Sequence, residues 1–460
     1  MNKIAILLAT TSMLPLAPAH ADEASLQAEI ALLKQQLAVQ NQTIAAQATR
    51  LDQFEAQMRS GQATNAAQPN DGGPALASTA SATSNPSPSS SATTLASAAS
   101  SGSDTTIGGY GEISYNGYVH DASRNQADLK RFVLFFGHRF NDKLSFNSEV
   151  EVEHAVSSSE DQGEVEIEQA YLNYAFRPAV NVKAGLFLMP FGFINRSHEP
   201  PVFYGVERNE VETRIIPSTW REGGVSLWGD TSFGLSYDVG VTTGFDVAKL
   251  DDASAPLRGS HQELQLAKAS SLSFYGSLEY TPTPCLLIGG AIFHGGATHS
   301  NADFRQDNSL PDFAGINAKV TLWDVHSRWQ YKGLDLEALY ARGTISRAAA
   351  LDGVIDAYNT ANGAELSTVP SAFYGWLVQG AYSFPLGSTM TLDPFVRYEK
   401  FDTQTSLPIG FLADPANRDR VLTTGFSFHP LHEVVVKVDY QKFFENSAND
   451  RVNLGLGYMF

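Results

Sequence analysis

The chain has 460 residues, 43% hydrophobic and 17% charged, with a formal net charge of −18 and a mean hydropathy of −0.17. That acidity argues against nucleic acid as a partner, because a phosphate-binding surface needs a basic stripe. A single cysteine, Cys285, excludes an intrachain disulfide, and no internal run reaches the roughly 18–20 apolar residues of a membrane helix.

At the N-terminus Lys3 precedes an apolar run from Ile4 to Leu16, and Ala19-His20-Ala21 supplies a small-x-small cleavage site. Residues 1–21 therefore read as a secretory signal peptide. Over 22–59, Ile30, Leu37, Ile44, Leu51 and Met58 fall seven apart, with Leu26, Leu33, Gln40, Gln47 and Phe54 at the second seam position. This is the heptad of an α-helical coiled coil about 50 Å long, and the two glutamines help fix its register. Residues 60–105 are Ala, Ser, Thr, Pro, Asn and Gly with almost no large apolar side chain. They bury too little to offset the entropy of ordering and read as a disordered linker.

From Thr106 the pattern becomes alternation. Leu144, Phe146, Val150 and Val152 alternate with Ser145, Asn147, Glu149, Glu151 and Glu153; Val452, Leu454, Leu456, Tyr458 and Phe460 alternate with Arg451, Asn453, Gly455 and Gly457. Sixteen strands are expected, near 107–119, 128–140, 143–154, 164–176, 181–188, 220–229, 232–245 and 270–280, then 285–294, 316–331, 333–344, 373–384, 390–401, 419–429, 433–444 and 451–460. The tenth changes facing near Asp324. Short and long gaps alternate between them. An even strand number, tight turns at one end and long loops at the other is the layout of an antiparallel transmembrane β-barrel of the outer membrane, spanning 106–460. A soluble β-sandwich also alternates, but lacks that loop asymmetry. Phe140, Phe176, Trp228, Tyr280, Tyr331, Phe384, Phe428 and Phe460 stand just before the short turns, or at the end of the chain, and predict an aromatic girdle against lipid at the periplasmic interface.

The stretch Met189–Trp220 is interrupted by Pro190, Pro200, Pro201 and Pro217, so neither a helix nor a strand runs through it. Long irregular connections are usually functional. This one reads as a third outer loop folded into the barrel mouth, where it narrows the channel. The loop and its exit place Arg196, His198, Glu199, Arg208, Arg214, Arg221 and Glu222 at the constriction. The wall adds Lys183 and Arg131 with Glu149, Glu151 and Glu153, and Arg328, Arg397 and Lys437 are further basic lumen candidates. Opposite charges set across a pore orient small polar solutes without strongly excluding either sign of ion.

Gly108-Gly109-Tyr110-Gly111-Glu112, Arg131-Phe132-Val133-Leu134, Glu168-Gln169-Ala170-Tyr171-Leu172 and Gly185-Leu186-Phe187-Leu188-Met189-Pro190-Phe191-Gly192 resemble the phosphate-selective porin O and P family, most densely over 107–230. The resemblance implies a trimeric sixteen-stranded barrel with an inward third loop, in some members selecting anions. The family's phosphate binders line the lumen with arginine ladders and lysine clusters, whereas residues 104–460 here carry 27 Lys and Arg against 43 Asp and Glu. The fold carries over more firmly than phosphate preference.

The sequence contains no HExxH, G-x-S-x-G or phosphate-loop motif. His198, His294 and His299 are metal-capable, but solvated loop histidines are commoner than ligands, so no metal, cofactor or catalytic residue is assigned. The expected protein is an outer-membrane channel for passive diffusion of small hydrophilic solutes and ions, phosphate or other anions among them. Its partners are two further copies, outer-membrane lipid and the barrel-assembly machinery that reads the terminal strand ending in Phe460, with the coiled coil in the periplasm. A barrel enzyme and a structural tether that works through the coil are the alternatives. The first would need a Ser/His/Asp or acid/His set at the rim, and the second suits a narrower barrel.

Overall fold

A computed structural model describes Lys34 and residues 104–156, 162–250, 252–299 and 311–460. The chain divides into two compact units, Met1–Ser84 and Asn85–Phe460. The leader, nearly all of the coil and the linker up to residue 103 lie outside the described residues.

The second unit is a closed antiparallel barrel. Its strands are β1 (Thr105–Tyr118), β2 (Gln126–Arg139), β3 (Leu144–Glu153), β4 (Val165–Arg177), β5 (Val180–Leu188), β6 (Arg221–Asp230), β7 (Leu235–Thr242) and β8 (Ser273–Thr283). They continue with β9 (Leu286–Gly296), β10 (Lys319–Tyr331), β11 (Leu334–Ile345), β12 (Ala372–Tyr382), β13 (Thr391–Ser406), β14 (Arg418–Leu431), β15 (Val434–Phe443) and β16 (Arg451–Met459). Each pairs with its neighbours in sequence, and β1 pairs with β16 to close the ring. Gly109 and Phe460 complete that seam, exchanging backbone hydrogen bonds of 3.0 and 2.9 Å. Closure removes the edge strands that would otherwise expose unpaired backbone.

Beyond Ser383, β12 resumes as Phe384–Pro385, which also pairs with β13. The break in pairing covers Tyr382 and Ser383, opposite Pro394 and Asp393 of β13; Pro394 has no N–H to donate to the ladder, and Ser383 Oγ donates to Asp393 Oδ1 at 2.6 Å. Sixteen staves therefore stand where sixteen were expected.

Alternation determines which side chains face inward. On β15, Val435, Lys437, Asp439, Gln441 and Phe443 are buried, while Val434, Val436, Val438 and Tyr440 lie on the outer face. Two expectations about facing need correction. Trp228 does not join the girdle: it sits beside inward Ser226 on β6, and its Nε1–H donates to Asn173 Oδ1 at 2.9 Å. The indole N–H needs an acceptor that lipid does not supply. The tenth strand keeps one facing throughout, with Val320, Leu322, Asp324 and His326 all buried. The apparent switch arises because the inner wall is apolar at the long-loop end.

There a cluster gathers Met189, Phe191, Ile215, Ile216 and Trp220 with Phe245, Leu257, Phe293, Leu322, Phe373 and Phe401. The long loop after β11 contributes a helix (Ala348–Asn362) whose Ala348, Leu351 and Ile355 are buried on one side at helical spacing.

Candidate functional site

The connection 189–219 between β5 and β6 is built around its own polar core. Met189 N–H donates to the Trp220 carbonyl at 2.9 Å, and the fully buried Asn195 clasps both ends. Its amide donates to the carbonyls of Met189 (2.7 Å) and Trp220 (2.9 Å), and its Oδ1 accepts from Trp220 N–H (2.7 Å). One turn of helix, Val211–Arg214, presents Glu212 to the rest of the loop. Glu212 Oε1 accepts from the backbone N–H groups of Phe193 (2.6 Å) and Ile194 (2.9 Å), and Oε2 from Asn209 Nδ2 (2.6 Å). Burial raises its pKa to about 7. Gly192 is required beside it: φ is +59°, and a Cβ would lie 2.1 Å from Glu212 Oε1.

The remaining residues of the loop contact inward side chains of strands from every quarter of the sheet. Arg196 pairs with Glu279 of β8 at 2.7 Å, and His198 Nε2 lies 3.1 Å from Glu168 Oε1 of β4. Pro200 rests on Gly457 of β16, where a Cβ would come within 2.2 Å. Tyr204 stacks on Phe395 of β13, with ring centroids 5.8 Å apart, and its hydroxyl donates to Asp335 of β11 at 3.2 Å. The Val206 N–H donates to Asp439 of β15 at 2.6 Å. Glu207 accepts from Asn116 of β1 (3.0 Å) and Lys130 of β2 (2.6 Å). Burial opposes its ionisation, but Lys130 and Arg451 outweigh burial and hold its pKa down at about 2.

The expected site residues fall into three groups. Arg131, Glu149, Glu151, Glu153, His198, Glu199 and Arg208 come together where the loop meets β1–β4. Arg131 lies 3.3 Å from Glu112, 3.6 Å from Glu151 and 3.5 Å from Glu153. Arg208 is buried, with Nε and Nη2 lacking hydrogen-bond partners. A second group sits at the loop's base and outer side. Arg221 pairs with Glu166 and Glu263; Arg214 pairs with Glu210 (2.6 Å) and lies over the Phe401 ring; Glu222 accepts from Trp220 Nε1, Thr243 and Gly244. These three brace the loop. Arg196 and Lys183 form the third group, engaged by Glu279 and Asp238 on the β7–β8 wall.

Several residues escaped the reading from sequence. Glu166 and Glu168 stand on β4 beside the acidic face of β3, and the alternation Val165-Glu166-Ile167-Glu168 carried the signal that found Glu149, Glu151 and Glu153. Lys437 was expected to face inward, but nothing local showed that its Nζ would lie 3.5 Å from the centre of the Phe203 ring without a hydrogen-bond partner.

A family profile described as phosphate-selective porin O and P matches residues 108–453. An uncharacterized protein of Aquifex aeolicus (strain VF5) is 32% identical over 362 residues, covering 77% of this chain and 80% of that one. The solved structure of Salmonella typhi OmpF in complex with daunomycin aligns with a TM-score of 0.51 at 13% identity, over 77% of this chain and 97% of that one. At that identity the likeness concerns the fold. The anion-selective porin from Comamonas acidovorans aligns with a TM-score of 0.44 at 11% identity, over 77% of this chain and 99% of that one.

Proposed function

The chain belongs to the phosphate-selective porin O and P family, channels of the outer membrane for small solutes, and from that premise we propose that the loop 189–219 is an inward constriction giving weak ion selectivity. The observation that supports this reading is the loop's set of partners. From a base between β5 and β6 it reaches side chains on β1, β2, β4, β8, β11, β13, β15 and β16. Contacts to strands on so many sides are those expected of a segment lying across a barrel's interior.

Weak selectivity follows from the pairing of its charges. Arg196, Arg214, Arg221, Lys183 and Arg131 each lie within 4 Å of a carboxylate. A paired cation contributes little net field to a passing ion. Arg208 and Lys437 are the exceptions and carry the residual preference for anions, which is what favours phosphate as a second reading. The channel works as a homotrimer, and the coil of 22–59 lies in the periplasm behind a cleaved leader.

Reversal potentials across a KCl gradient in planar bilayers test this. The expected permeability ratio is within a few-fold of unity. Joint replacement Arg208→Gln and Lys437→Gln moves it toward cations, whereas joint replacement Arg214→Gln and Glu210→Gln, which removes a whole ion pair, leaves it nearly unchanged. Strong anion selectivity, with chloride current blocked by submillimolar phosphate, would establish phosphate binding and reject weak selectivity.

A further inference from the structure

Where the loop meets the wall, three side chains from three separate parts of the chain converge: Glu149 of β3, Glu168 of β4 and His198 of the loop. The register explains the first two. Glu149 pairs with Gln169 and Val150 with Ile167, so Glu168 is the extra residue of a β-bulge. A bulge re-aims one side chain, and this one brings Glu168 beside Glu149. The loop then delivers His198, whose ring meets the Tyr110 ring edge-on at 5.9 Å. One ligand atom from each of the three residues lies within 4.8 Å of the others, and all three residues are buried.

Their polar atoms are incompletely used. Glu149 Oε2, Glu168 Oε2, His198 Nδ1 and the hydroxyl of the fully buried Tyr110 lack hydrogen-bond partners, and Glu168 Oε1 faces only His198 Nε2 at 3.1 Å. Glu151 and Glu199 add further negative charge close to Glu149. Among the cations nearby, Arg131 is engaged by Glu112, Glu151 and Glu153, and Arg221 by Glu166 and Glu263. Arg208 is the further positive charge that Glu168 feels. Buried carboxylates without full compensation are costly, and partnerless atoms converging from three elements suit a ligand of high positive charge.

We propose that Glu149, Glu168 and His198 bind a first-row divalent transition metal ion, of which Zn²⁺ is the type, and that this ion staples the loop to the β3–β4 wall. One imidazole nitrogen and two carboxylate oxygens form a donor set of this class, with further positions left for water. Ligand atoms around such an ion stand roughly 3–3.5 Å apart, given bond lengths of about 2.0–2.2 Å. Side-chain rotation therefore closes the present spacing. The ion supplies counter-charge to both carboxylates, and His198 offers it an imidazole nitrogen.

The test uses the full-length barrel without a histidine tag, stripped with chelator and dialysed against micromolar Zn²⁺, with bound metal measured by mass spectrometry. One Zn²⁺ per chain is expected for the wild type. His198→Gln and Glu149→Gln, each confirmed as folded by its heat-modifiable gel band, should bind at least about tenfold more weakly. A wild type that retains no Zn²⁺, or variants that retain as much, would overturn the site and leave a His–Glu pair alone. Co²⁺ gives a readout that needs no variant: the loaded wild type should show d–d absorption bands, and their absence overturns the proposal equally. Neither readout depends on the channel's ion selectivity.

Discussion

Gly457 shows how one residue type lets the loop approach the wall. The loop's Pro200 occupies the space a side chain would need there, with Pro200 Cβ 2.2 Å from an ideal Gly457 Cβ. Gly455, the next inward residue on β16, leaves similar room for Val206, whose methyl groups would stand 3.2 Å from a Cβ. Gly457→Val is therefore expected to push the loop away from β16 at a cost of about 1–3 kcal/mol. The measurement is protease cleavage within 189–219 on the folded barrel, which should speed up. Gly276→Ala is the control, because its Cβ would meet only Val239 at an ordinary 3.5 Å. Equal cleavage of both variants would show that Pro200 and Gly457 do not hold the loop.

At the scale of the element, the loop is fastened at its far end by Glu207, gripped by Lys130 and Asn116. Its folded pKa of about 2 lies below the ordinary 4.5. The contribution to docking is thus fully present above about pH 4.5 and is lost as pH falls toward 2. That depression corresponds to roughly 3–4 kcal/mol when the carboxylate is ionised. Open-channel current should stay quiet from neutral pH down to about pH 4.5, then grow noisier as the loop loosens. Glu207→Gln should be noisy throughout and flat across that window; a profile identical to the wild type would reject the lock.

For the whole molecule, the expected trimer is joined twice, through the barrels and through the heptads before the linker. A peptide of residues 22–60 should then sediment as a trimer, while deletion of the same segment leaves the barrels trimeric. A peptide that stays monomeric at high concentration would remove the coil from the assembly. Independence of the two associations is expected because residues 60–105 carry almost no large apolar side chain to transmit a constraint.

The barrel was legible in the sequence because each stave needs only a period of two and a turn at the correct end, and both signals are local. Thus all sixteen strands lie within a few residues of their expected places, down to Val434–Phe443 and Arg451–Met459. Facing was equally legible where lipid lay outside and polar groups inside. It failed at Trp228, which found an acceptor in Asn173, and at Val320 and Leu322, which pack on loops folded over the long-loop end. Those partners lie tens to hundreds of residues away, beyond the reach of any local pattern. The same limit governs the site. Composition marked 189–219 as charged and irregular, but whether Arg208 would be unpartnered and Arg214 paired depended on which strand each met. The sequence by itself determined the number of staves, their alternation and the presence of a long polar loop, because nearest-neighbour chemistry decides these. Only the closed ring decided that Glu149, a bulged Glu168 and His198 should meet, since that requires pairing register, a bulge and a loop trajectory to hold at once.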